Sequence, residues 1–297
     1  MDPKTRALYK LKKDKVHFRE LVEIVAKKAA FDAAKKSQLQ THIEKLDNLQ
    51  VQSILFKSLR AAMTAAELTS WSKHMALVTP SVANFARKAL IRCLPTNTNL
   101  HLWGRSPSDS CPRCGALETE NHVLNNCPVA ATQGRYTWRH NAVLKILASH
   151  VQSHLQAQDK LFVDIPGYRN PQELFSSIIP DIIVVRGNMA VVLELTICYE
   201  RNLVNSKLYK LNKYKDPASS CKMPLQFEVH TAEVSSLGFT PLADLTSFYK
   251  SLNISPPTPA MMRRVGETAL RCSYFLFCLR HKPWPANPTD PYVPGSA

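Results

Sequence analysis

The chain has 297 residues, 45% of them apolar, and carries 38 Lys and Arg against 23 Asp and Glu, a net charge of +15. That length holds two domains, or one with accessories, and the charge points to a polyanionic partner, with a basic membrane-surface protein as the rival. The sequence has no run of 18 apolar residues, an N-terminus (MDPKTRALYKLKKDK) without an apolar core, and eight cysteines; these argue against a membrane span, a secretory signal and a disulfide scaffold, and for a reducing compartment with a metal site.

Residues 1–92 contain no glycine and read as helices, with Phe18, Leu21, Val22, Ile24 and Val25 at helical spacing. Fourteen Lys and Arg face seven Asp and Glu in residues 1–60. Lys10, Lys12, Lys13 and Lys15 are suited to a nucleic-acid backbone or, equally, to a solvated helix face. These helices look like the middle of something larger, and a fragment or truncated copy is the expectation.

Residues 93–128 turn to Pro, Asn and Ser, the residues of loops. They contain Cys111-x2-Cys114-x7-His122-x4-Cys127. Two cysteines two apart form a knuckle, and a His and a Cys on the following short helix complete a tetrahedron, the donor set of a closed structural zinc site. Gly115 eases the knuckle turn. Such a site has no open coordination position, so it folds and docks rather than catalyses. Residues 135–158 read as an amphipathic helix with Val143, Leu144, Ile146 and Leu147 as its stripe. Arg135, Trp138, Arg139 and His140 near its start suit stacking and phosphate contact, although packing against the knuckle is the plainer role for Trp138. His150 and His154 are four apart, but without the carboxylate of an HExxH arrangement they are not read as a metal site.

Two apolar runs, Ile178–Val185 and Met189–Ile197, flank Gly187-Asn188, the signal for a two-residue hairpin turn of type II′. The register that follows sets Arg186 against Met189, Val185 against Ala190 and, further out, Asp181 against Glu194. Opposed side chains share a face, so the two acids repel within an apolar surround, and a divalent cation relieves them: Mg²⁺ wants hard oxygen ligands of this kind. The plainer alternative is that Asp181 merely opens the strand and Glu194 pairs with a lysine. Lys207, Lys210 and Tyr214 follow at helical spacing, and a lysine aimed at the acids could stabilise a transition state. Glu173 upstream could be a third carboxylate. Beyond lie another strand or two in MPLQFEVHTAEVSSLGF, helices at 241–253 and 259–281 with a stripe of Met261, Met262, Val265, Leu270 and Phe275, and a Pro-rich tail read as disordered.

The order of knuckle, helix and carboxylate hairpin resembles the C-terminal part of the restriction-like-endonuclease class of non-LTR retrotransposon proteins. ARKALIRCLPTNTNLHLWGR, the CX2CX7HX4C knuckle, GRYTWRHN, and PD-x12-E-L-T followed by KLYKLNKY carry the resemblance over roughly residues 85–240. It implies an α+β fold: a helical region (1–92), the CCHC zinc knuckle with its helix (93–158), a PD-(D/E)XK restriction-like endonuclease core with a mixed sheet flanked by helices (159–282), and a tail (283–297). It further implies Asp181 and Glu194 as ligands of catalytic Mg²⁺ or Mn²⁺. Thr196 occupies the position of the usual lysine, and Lys210, with Lys207 or Lys213 as stand-ins, takes its place; Tyr214 matches the aromatic that closes the motif. Glu233, Gly238 and Phe239 resemble a further short motif without a derivable role. The implied activity is nicking of target DNA to prime reverse transcription, in the nucleus, with element RNA and an upstream reverse transcriptase domain as partners and no membrane. No aromatic-x-Asp-Asp polymerase motif occurs in the chain, so copying RNA is not expected of it, and a catalytically inactive zinc-containing nucleic-acid-binding fragment is the alternative.

Overall fold

The computed structural model describes residues 18–50, 52–286 and 288. It divides into two compact units, residues 1–53 and 54–297. The first contains helix α1 (Phe18–Asp47), whose side chains from Val25 to His42 are all exposed, Phe31 and Leu39 included. Lys10, Lys12, Lys13 and Lys15, and the side chains of Phe18, Leu21, Val22 and Ile24, lie outside the described residues.

In chain order from there, α2 (Gln52–Ala62), α3 (Ala65–His74) and α4 (Pro80–Leu90) form the helical lead-in. Thr64 caps α3 in a capping box: its hydroxyl accepts from the Glu67 N–H, and the Glu67 carboxylate accepts from the Thr64 N–H at 2.6 Å, satisfying two donors that a helix start leaves free. Pro80 opens α4, where its missing N–H costs nothing. Short α5 (Asn97–Leu102) leads into the knuckle, then α6 (Pro128–Thr132) and α7 (Arg135–Gln152). The apolar period of α7 ends at Val151, and the helix stops six residues short of 158.

Four strands make one mixed sheet, in the order β1 (Lys160–Val163), β2 (Ile182–Arg186), β3 (Met189–Cys198), β4 (Gln226–Ser235). β1 and β3 each run antiparallel to β2 between them, and β4 runs parallel to β3. The β2–β3 hairpin has the expected register, Arg186 against Met189 through Ile182 against Leu193. Gly187 has φ +60° while Asn188 is not among the residues of positive φ; type I′ needs both positive, so the turn is type II′. A parallel partner requires a crossover; here it carries α8 (Leu203–Lys213). α9 (Ala243–Ser251) and α10 (Pro259–Cys278) complete the fold.

The core has three parts. Val143, Leu144, Leu147 and Val151 of α7 pack with Ile182, Val184, Val191 and Leu193 on one face of the sheet, joined by α9 and α10. On the other face Ile183, Val185, Ala190 and Val192 pack with Phe162, Leu174 and Phe175. The third part gathers Leu55, Leu59, Val82, Phe85 and Ala86 with Leu124 of the knuckle, Leu203, Leu237, Phe239, Leu270 and Phe277. Helices from 54 onward, knuckle and sheet share buried apolar surface, and the division into compact units falls at 53/54.

Two close backbone approaches lock this arrangement. Gly238 (φ +81°) and Gly266 of α10 face each other, and a Cβ on Gly266 would lie 2.5 Å from the Gly238 carbonyl oxygen. Phe239 stacks on Trp71 at 4.2 Å, and the Trp71 indole donates to the Leu237 carbonyl at 2.8 Å. Gly238 and Phe239, the motif without a derivable role, thus hold the end of β4 against α3 and α10. At the start of the Pro-rich tail Trp284 packs edge-on to Trp138; residues 287 and 289–297, where the expected disorder falls, lie outside the described residues. Among the described residues no helix is long and apolar enough to cross a membrane.

Candidate functional site

The knuckle starts where the Cys111 N–H donates to Ala116 and the Gly115 N–H returns to Cys111 O at 2.9 Å, Gly115 taking φ +77°. This tight turn aims Cys111 and Cys114 to one side. His122 opens a π-helical turn (His122–Asn126), and Cys127 follows it; the wider turn, rather than a regular short helix, carries the second pair of donors. One donor atom from each of Cys111, Cys114, His122 and Cys127 lies within 4.8 Å of the others. Cys114 Sγ is 3.3 Å from His122 Nε2 and 3.9 Å from Cys127 Sγ. Donors tetrahedrally disposed about 2.3 Å from a zinc are about 3.8 Å apart, so the four residues fit the ion. Burial pushes the His122 imidazole toward its neutral, ligating form.

The knuckle is docked by charge. Arg113 and Arg135 direct guanidinium N–H groups at the carbonyls of Leu279, Arg280 and Lys282, just past the end of α10, where unpaired carbonyls favour cations. Glu118, fully buried, accepts from the Asn97 N–H and takes Arg280 and His281. Tyr136 OH donates toward the carbonyls of His122 and Val123 and accepts from the Cys127 N–H at 3.0 Å. Arg139 reaches Asn125, Ser236 and Ser273. This corrects the expectation of phosphate contact at the start of α7: Arg135 and Arg139 are 2% and 1% exposed, because buried carbonyls and hydroxyls from distant segments need their donors. Trp138 meets Phe275 and Trp284, not the knuckle.

The second cluster sits at the open end of the hairpin. Alternation along β3 puts Glu194 on the face that Val192, Ile183 and Val185 share, and Asp181 immediately precedes β2. Their bonds interlock: the Asp181 N–H donates to Glu194 Oε1 at 3.2 Å, and the Leu195 N–H donates to Asp181 Oδ2 at 2.8 Å. Lys210 reaches across from α8, its Nζ 2.6 Å from Glu194 Oε2. Glu194 is raised by burial and then by the Asp181 charge, with Lys210 opposing both. Lys210 is raised as well: burial lowers it, but the Glu194 charge and hydrogen bond, with the Asp181 charge, together outweigh that. Tyr214 OH donates to the Ile179 carbonyl at 3.1 Å, and burial, then Glu194, pushes its phenol far up.

Lys207 is not aimed at the acids; it pairs with Asp244 at 2.6 Å. Lys213 lies over the Tyr214 ring. Glu173 is exposed and paired with Arg169. The additional carboxylate near Asp181 is Asp164, whose N–H donates to the Asp181 carbonyl and whose own carboxyl is raised by burial and by Asp181. It follows β1 directly. His140 approaches Asp181 Oδ1 at 3.4 Å and the Leu195 carbonyl at 3.3 Å; burial lowers its pKa, but the Asp181 bond and charge, with the bonds to Asn141 and Leu195, together raise the imidazole. Glu233, on β4 beside Thr196, is pushed up to about 7 by burial. His150 and His154 stack 4.5 Å apart, with His150 Nδ1 at the Tyr249 hydroxyl.

Residues 53–133 match the family model of zinc-binding in reverse transcriptase. No curated protein matches the chain. The chain carries a zinc-binding domain of the reverse-transcriptase-associated kind, with its Cys₃His cluster assembled. The match begins within α2 and ends well before Asp181.

Proposed function

We propose that this chain is the metal-dependent DNA-nicking part of a non-LTR retrotransposon-type protein, acting on target DNA in the nucleus beside element RNA and a separate reverse transcriptase domain. The observation that supports this reading most directly is the pairing of Asp181 with Glu194 at the open end of the hairpin, with Lys210 held against them from α8. Two carboxylates that repel each other in a buried setting, each oxygen retaining a further lone pair, are a donor set suited to Mg²⁺ or Mn²⁺. When bound there, the ion supplies Lewis acidity and an acidified water. The residues contribute the rest: Lys210 offsets charge at the scissile phosphate, His140 orients Asp181, and Tyr214 anchors the chain before β2. The test is nicking of supercoiled plasmid in Mg²⁺. Wild type relaxes it, and Asp181→Ala does not; equal activity from both overturns the reading.

A second reading, a nucleic-acid-binding module without cleavage, is favoured by one observation: Lys210 already neutralises Glu194. It expects salt-sensitive DNA binding and intact plasmid in both Mg²⁺ and Mn²⁺.

A further inference from the structure

The outer face of α8 combines exposed apolar side chains with positive charge. Val204, Leu208 and Leu211, spaced four and three apart, form an apolar stripe on the solvent side, and Tyr209 beside them is 69% exposed. Residues 201–215 include Arg201, Lys207, Lys210, Lys213 and Lys215 and no acid. Asn202, Asn205 and Asn212 are exposed among them. An apolar stripe bare in water costs stability and calls for an occupant; Arg201, Lys213 and Lys215, all exposed around it, select a polyanion over an apolar protein surface. Rings with polar tips among cations form the usual platform for unpaired bases. The same helix carries Lys210 to the carboxylates, and the Tyr209 hydroxyl lies within electrostatic reach of that ammonium. Whatever Tyr209 holds is therefore next to the cluster.

We infer that the exposed face of α8 binds unpaired nucleotides, with a base stacked on Tyr209 and its neighbour against Leu208, so that the strand presented to Asp181 and Glu194 is locally unwound DNA. This rests on the nucleic-acid substrate proposed above.

The test is fluorescence anisotropy with the full chain, zinc-loaded and without added Mg²⁺, on two labelled duplexes of one sequence, fully paired and carrying a central unpaired bubble. Wild type binds the bubble more tightly. Tyr209→Ala weakens bubble binding about 10-fold, leaves the paired duplex unchanged and keeps the salt slope. Tyr209→Trp restores the preference. Lys215→Ala weakens both duplexes alike and lowers the salt slope by about 1. Equal affinity of wild type for the two duplexes overturns the inference, as does a Tyr209→Ala loss that is the same on both. Light scattering that finds a dimer dissolved by Leu208→Ser also overturns it, since a second copy would then cover the face. Plasmid nicking run in parallel separates the two readings. Nicking without bubble preference removes this inference alone, whereas bubble preference without nicking upholds it and removes the nuclease.

Discussion

Lys210→Met keeps the length of the side-chain stem and deletes its ammonium. Glu194, whose side chain is 1% exposed, then faces Asp181 with no cation at 2.6 Å. Breaking a fully buried ion pair costs about 3–5 kcal/mol. Two features reduce that here: the Lys210 side chain is 20% exposed, and Glu194 can take up a proton, which limits the cost to about 1.4 kcal/mol per pH unit above its pKa. A loss of about 2 kcal/mol at pH 7.5 follows, or about 4–8 °C in Tm for a unit of this size. Glu194 is already raised above its ordinary 4.5, and without Lys210 it rises further. The folded variant thus holds a proton that the unfolded chain releases, so the deficit is smallest below pH 4.5 and grows as pH rises through the interval up to the folded pKa. Thermal unfolding followed by circular dichroism from pH 5 to 8, with zinc kept saturating, reads this directly. Adding Glu194→Gln to Lys210→Met restores stability at pH 8, because no uncompensated charge is left. A Lys210→Met melting curve identical to wild type, or a deficit independent of pH, refutes the reasoning.

Further outcomes are open to simple measurement. Metal analysis gives one zinc per chain, and Cys111→Ser or Cys127→Ser abolishes it and unfolds the knuckle, since apparent binding energies of about 10–16 kcal/mol typify structural zinc. Gly266→Ala forces its Cβ to 2.5 Å from the Gly238 carbonyl oxygen, where only backbone can yield; chemical denaturation shows a loss of at least about 2 kcal/mol. Asp159, held bidentately by Arg186 at 2.7 and 2.8 Å, has its carboxyl pulled below the ordinary range. It therefore stabilises the fold above pH 3.8, and that contribution vanishes as pH falls through the lowered pKa; Arg186→Met removes this acid limb from the stability profile.

The parts of the molecule that were readable were those specified by near neighbours. Gly187-Asn188 set the turn and so the register of ten flanking residues, and the four zinc donors lie within 17 positions of sequence. Helices 243–251 and 259–278 showed their apolar period. What escaped was set by distance. Arg135 and Arg139 look like surface cations until carbonyls at 279–282 and hydroxyls at 236 and 273 arrive to receive them. The parallel partnership of β4 with β3 has no local signature, and Asp164 stands in a loop without periodicity. The change of composition at residue 93 gives no sign that Leu55 and Phe85 share a cluster with Phe277.

One turn and a half of α7 touches both the zinc-type cluster and the carboxylates: Tyr136 grips the backbone around His122 and Cys127, Arg139 ties Asn125 to Ser236, and His140 meets Asp181. The recognisable zinc-binding stretch stops at residue 133, three positions before the first of these. A cut made at the border that sequence similarity suggests would strip the zinc ligands of their outer support and Asp181 of its imidazole in a single stroke. The physical border of this module is not where its likeness to other proteins ends.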